Sequence, residues 1–146
     1  MNTKVTETIQ YIGVDDTDLD LFESQYIVPN GISYNSYLIE DEKIAIMDTV
    51  DKRKSGQWWA NLTDALEGRT PDYLVVQHME PDHAGNIADA MERFPQMKIV
   101  ATIQDAENLL QANARRRNIR KAALVKRMRF ILILIQTVEN AFCLTM

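Results

Sequence analysis

The sequence predicts an α/β fold, the first half of a layered sandwich in which antiparallel strands come first and alternating strands and helices follow, with the helices packed on one sheet face. Three observations predict it. The first third of the chain is a series of short β-rich runs separated by turn signals. From Ser55 onward, apolar residues at helical spacing alternate with short apolar strands. At 146 residues, with 46% hydrophobic and 25% charged residues, the chain is long enough to bury the core of one ordinary domain.

Thr6 to Val14, with Ile9, Tyr11 and Ile12, reads as a strand that stops at a turn in Asp15-Asp16. Ser24 to Pro29 holds the β-rich Gln25-Tyr26-Ile27-Val28 and closes at Pro29-Asn30-Gly31, a strong turn signal. Ile32 to Ile39 follows, then a turn at Asp41-Glu42, then Lys43 to Met47, which ends at Asp48-Thr49. Turns this short predict an antiparallel meander or hairpins. Ser55 to Leu66 sets Trp58, Trp59, Leu62 and Leu66 at helical spacing, the two tryptophans supplying core and surface, and Gly68 is placed to end the helix. Tyr73 to Val76 is a short strand. Gly85 to Phe94 carries Ile87, Met91 and Phe94 on one helical face and is followed by Pro95. Lys98 to Ala101 reads as a strand and Ile103 to Ala112 as a helix. There is no internal repeat and no Gly/Ser- or Pro-rich linker.

Charge divides the chain near Ala114. Residues 1–113 hold 8 Lys/Arg against 20 Asp/Glu, a formal charge of −12, whereas residues 114–146 hold 8 against the single Glu139, a charge of +7. The later part contains the basic stretch Ala114 to Arg129 and the apolar run Phe130 to Ile135, without a clear period. Such a stretch can be an amphipathic helix for nucleic acid or a membrane surface; the loss of consistency with the preceding elements favours instead a tail never selected to complete the domain. It lacks interleaved aromatics and follows no recognisable binding fold, so no nucleic-acid or membrane partner is expected. Met1 to Glu7 is polar, and Phe130 to Ile135 is far too short to span a bilayer. Cys143 is the one cysteine, which precludes an intrachain disulfide and any zinc-type cysteine spacing. A cytoplasmic location is the expectation.

The chemistry concentrates in His78-Met79-Glu80-Pro81-Asp82-His83, which contains both histidines of the chain. Two imidazoles and two carboxylates within six residues, between a strand and a helix, suit a transition-metal site; the carboxylates shift preference toward iron or manganese. The plainer alternative is a polar loop with solvated histidines. Pro81 stiffens the loop and restricts Glu80 to extended conformations, and Gly85 permits close backbone approach or an unusual φ. Asp82 could instead be a helix N-cap. Asp48, ending its strand, could orient a ligand histidine or be an ordinary turn residue.

The motif HMEPDHAGN, preceded by DYLVVQ, resembles the first metal-ligand loop of the flavodiiron proteins, a branch of the metallo-β-lactamase-like fold. Two upstream stretches share the resemblance: Phe22-Glu23-Ser24 to Leu38, with PNGISYNSYLI, and IAIMDTVD from Ile44 to Asp51. Together they cover roughly residues 5 to 110. The resemblance implies a partial metallo-β-lactamase-like αββα sandwich, an oxidoreductase with a non-haem di-iron centre beside FMN, and reduction of dioxygen to water or nitric oxide to nitrous oxide. It implies that His78 and Glu80 ligate one iron and Asp82 and His83 the other, with a rubredoxin or flavin partner as electron donor.

The family completes its site with two further histidines and a bridging aspartate downstream, yet no histidine follows His83 here. The expectation is therefore an N-terminal part of the di-iron domain over 1–113, and a non-matching tail over 114–146 from a truncated or frame-shifted gene. Such a chain would have little activity alone, and its open sheet face could drive homo-oligomer formation. The competing functional readings are a metallo-hydrolase of the same fold, which normally carries histidine where Glu80 stands, and a non-enzymatic binding fragment.

Overall fold

A computed structural model describes residues 3–22 and 25–102; the helix expected over 103–112 and the tail over 114–146 lie outside the described residues. The elements run β1 (Thr3–Lys4), β2 (Ile9–Tyr11), β3 (Val14–Asp16), β4 (Leu21–Phe22), β5 (Tyr26–Ile27), β6 (Ile32–Tyr34), β7 (Tyr37–Glu40), β8 (Ile44–Met47), α1 (Ser55–Leu66), β9 (Tyr73–Val76), α2 (Pro81–Ala84), α3 (Ile87–Arg93) and β10 (Lys98–Ala101). A 3₁₀ turn at Lys52–Lys54 leads into α1. The main sheet has the order β1-β2-β7-β8-β9-β10. Pairing is antiparallel from β1 through β8 and parallel from β8 through β10, so α1 and the α2–α3 segment are the two crossovers.

The early strands differ from the sequence expectation in their breaks. Thr6 to Val14 is two strands, β2 and β3, and Ile32 to Ile39 is likewise two, β6 and β7. Asp15 and Asp16 lie inside β3 and are not a turn. Ile9 faces Ile39 and Tyr11 faces Tyr37; Val14 faces Tyr34 and Asp16 faces Ile32. One register thus runs through a single antiparallel ribbon, interrupted near Gly13 and Asn35, where the Ile12 N–H still donates to the Ser36 carbonyl (2.9 Å). Of the meander and hairpin alternatives, Tyr26-Ile27 takes the hairpin, pairing with Leu21-Phe22 in a small separate sheet. The expected turn before β6 does form. Gly31 has φ 77°, and its N–H donates to the Val28 carbonyl (2.9 Å).

Alternation along these strands sorts the side chains. Leu38, Ile46, Leu74, Val76 and Ile99 point to one face and are fully buried beneath Trp58, Leu62, Leu66, Ile87 and Met91 of the helices. Each such side chain contributes roughly 1.5–3 kcal/mol through removal from water. On the opposite face the register aligns Ile9, Ile39, Ala45 and Tyr73 in one row and Tyr11, Tyr37, Met47 and Val75 in the next. These are half-buried and stand outside the core cluster. Trp58 is buried and its Nε1–H donates to Ser36 Oγ (3.0 Å), which itself donates to the Asp48 carbonyl (2.9 Å). Trp59 supplies the outer surface of α1, with Arg93 4.8 Å above its ring. Glu67 (φ 48°) and Gly68 (φ 83°) end α1 in left-handed conformations, as the glycine predicts. Among the described residues no helix is long and apolar enough to cross a membrane.

Candidate metal centre

Because β8 and β9 are parallel neighbours, their C-terminal ends lie side by side and deliver Asp48 and His78 to the same edge of the sheet. Asp48 is buried and has φ 56°, a left-handed conformation that aspartate tolerates better than most residues. Its Oδ1 accepts the Gln77 backbone N–H (2.7 Å), and its Oδ2 accepts from Gln77 Nε2 (3.4 Å) and stands 3.1 Å from His83 Nδ1. The carboxylate therefore joins the residue preceding His78 to the ring of His83, a contact beyond what an ordinary turn residue makes.

Pro81 opens α2, a helix of one turn, and Glu80 before it is extended (φ −67°, ψ 152°), as a residue preceding proline should be. The N–H groups of His83 and Ala84 donate to the Glu80 carbonyl (3.0 and 2.8 Å). Asp82 lies within α2, one residue past its start, so it is not the N-cap; Glu80 occupies that position without a side-chain capping bond. The helix expected over Gly85 to Phe94 is α3, which starts two residues later at Ile87, and α2 is an additional turn before it, with Gly85 and Asn86 between them. Gly85 has an ordinary φ of −57°. Its role is close approach, since a Cβ there would lie 2.6 Å from the Val50 carbonyl oxygen and 2.8 Å from the Lys52 nitrogen.

The four motif side chains form two pairs. His78 Nε2 is 3.0 Å from Glu80 Oε1, and both side chains are about half exposed; His83 Nε2 is 3.5 Å from Asp82 Oδ2, and both are more buried. The two imidazole rings lie 5.9 Å apart at a steep angle. Asp82 Oδ1 is buried without a hydrogen-bond partner among the described residues. An unsatisfied buried carboxylate oxygen is costly, and a cation is the partner that would satisfy it, so the donor chemistry fits a metal. The pairs nevertheless stay separate: among the described residues no three His, Cys, Asp or Glu side chains form one metal-holding group.

Sequence reading missed Thr49, Gln77 and Asn86. Thr49 donates to the His83 carbonyl through both its N–H and its Oγ1 (2.7 Å each), and the Asn86 N–H donates to Thr49 Oγ1 (3.1 Å). Asn86 Nδ2 donates to the Val50 carbonyl (2.7 Å), and Ser55 Oγ pairs with Asn86 Oδ1. The only sequence hint was polarity persisting past the end of an apolar strand. An open groove lined by Trp59, Ala60, Thr63, Asp64, Glu67 and Arg93 involves none of these residues.

No family model matches the chain. It is 36% identical over 110 residues to the anaerobic nitric oxide reductase flavorubredoxin of Pectobacterium atrosepticum, covering 75% of this chain and 22% of that protein. It is 39% identical over 98 residues to the putative diflavin flavoprotein A 2 of Synechocystis, covering 65% and 17%. Among solved structures, rubredoxin oxygen:oxidoreductase from Desulfovibrio gigas superposes with a TM-score of 0.72 at 28% identity over 81% of this chain and 29% of that one. The flavodiiron protein from Giardia intestinalis gives 0.69 at 27% identity, over 75% and 26%. The chain thus spans about a fifth of the length of the curated relatives it matches.

Proposed function

The chain belongs to the flavodiiron family, as the N-terminal part of its metallo-β-lactamase-like domain, and on that premise we propose that His78, Glu80, Asp82 and His83 supply the first four protein ligands of a non-haem di-iron oxidoreductase centre. The buried, unpartnered Asp82 Oδ1 is the observation that carries this reading. His78 with Glu80 would serve one ion and Asp82 with His83 the other, following the pairing in which they stand. Two iron ions bound there, beside FMN, would supply the electron-transfer chemistry for reducing nitric oxide or dioxygen, with a rubredoxin-type or flavin donor, in a cytoplasmic setting.

The chain's own residues prepare the place. Asp48 holds the ring of His83 through Nδ1, which turns Nε2 toward the motif. Carboxylates at Glu80 and Asp82 are hard donors that stabilise the higher oxidation state of iron. Glu80 is also the residue that speaks for this reading over a hydrolase of the same fold. Residues 1–113 would form the di-iron-domain portion, with 114–146 lying outside it.

Anaerobic loading with iron(II), followed by metal analysis after desalting, tests the assignment. Four donors shared between two ions leave each with half a set, so at most one weakly held ion per chain is expected, lost on Asp82→Ala, with little nitric oxide or dioxygen consumption. Iron retention unaffected by D82A would overturn the assignment, whereas two tightly retained irons lost on D82A would overturn only the expectation of weak, incomplete loading.

A further inference from the structure

The one-turn helix carrying Asp82 and His83 is too short to persist by itself, because forming a first turn fixes several residues in exchange for very few hydrogen bonds. Its carbonyls also need partners beyond its end. The geometry points to Thr49 as the residue that supplies one, to the His83 carbonyl, and thereby as a positioning residue for the metal loop, an inference that rests on the di-iron reading. The Thr49 N–H and hydroxyl both donate to the His83 carbonyl (2.7 Å each). The same hydroxyl oxygen accepts the N–H of Asn86, two residues after the helix (3.1 Å). One side chain thus closes the C-terminal end of α2 and anchors the start of α3. Thr49 and Asn86 are both fully buried, so water cannot substitute in either bond.

This attachment acts on the ligands through direction. Asp48 tethers the His83 ring, and Thr49, next in sequence, tethers the His83 backbone. Held at both points against the rigid end of β8, His83 and its neighbour Asp82 keep a fixed relation to His78 at the end of β9. Without the hydroxyl, the loop would retain its ligands but lose the relation between the two pairs. Asn86 extends the hold by donating from Nδ2 to the Val50 carbonyl (2.7 Å).

The test uses the full chain, with Thr49→Val, which preserves volume but not the hydroxyl, and Thr49→Ser, which preserves the hydroxyl. Cobalt(II) titration read by visible absorption is expected to show binding weakened roughly 10-fold or more by T49V, as is typical when a supporting hydrogen bond is removed, and restored to within a few-fold of the parent by T49S. In metal-free protein, T49V is expected to broaden or multiply the His83 ring signals in NMR spectra, while T49S leaves a single set. A through-hydrogen-bond coupling from Thr49 N to the His83 carbonyl carbon is expected in the parent, which tests the anchor even where T49V fails to fold. Equal cobalt affinity in parent, T49V and T49S together with unchanged His83 signals would overturn the role, as would absence of that coupling. If the parent itself binds no cobalt while the coupling and the His83 effect are present, the di-iron reading falls and the anchor stands.

Discussion

Asp16 shows how much one side chain can hold. It is buried in β3, with Tyr34 Oη at 3.1 Å and Lys54 Nζ at 3.1 Å, while the Asp18 N–H donates to it (3.2 Å). Burial alone would raise its pKa, but the hydrogen bonds from Lys54, Asp18 and Tyr34 together outweigh burial and lower it below the ordinary 3.8. A lowered carboxylate adds stability above its unfolded pKa, and that share is lost as pH falls through the lower folded value. Tyr34 behaves in the opposite sense. Burial, aided by the Asp16 carboxylate, pushes it up to about 12, so its share is complete below pH 10 and is lost as pH rises to about 12. Asp16→Asn is expected to cost about 1.5–3 kcal/mol at neutral pH and to flatten the acid limb, checked by urea denaturation from pH 2 to 7. The sequence showed two aspartates that read as a turn. Lys54 and Tyr34, the partners that bury one of them, are 38 and 18 positions away and carry no local signal.

Elements with a strong local period were legible. α1, β8, β9 and β10 begin within a residue of where periodicity and turn residues put them, because nothing outside each segment overrides its pattern. The β2–β3 and β6–β7 breaks were not, since even-numbered positions stay buried through them and only the strand pairing reveals them. α2 was invisible for another reason: HMEPDHAGN has no apolar period, and its helical turn is set by contacts with the segment after β8. The proposed donors could be named from the motif, whereas Thr49 and Asn86 could not, for they carry no ligand chemistry. Gly85→Ala tests how tightly α2 is held. Its φ suits alanine, so any loss comes from the added methyl meeting the Val50 carbonyl and Lys52 nitrogen; about 1–3 kcal/mol is expected from chemical denaturation.

At the scale of the whole molecule, one sheet separates two different surfaces. The face under the helices is closed, while the rows through Ile39 and Tyr37 stay half-buried and apolar. Apolar surface of this kind promotes association, and an added charge opposes it. Tyr37→Lys is accordingly expected to shift light-scattering mass toward the single chain across a concentration series; an unchanged profile would show that this face takes no part. The strand order has a further consequence, in time. β7 and β8 are adjacent in sequence and can pair at once, whereas β8 meets β9 only after the α1 crossover closes. Asp48 and His83, 35 positions apart, can touch only after that. All four proposed donors can therefore have left the ribosome before the Asp48–His83 contact can form.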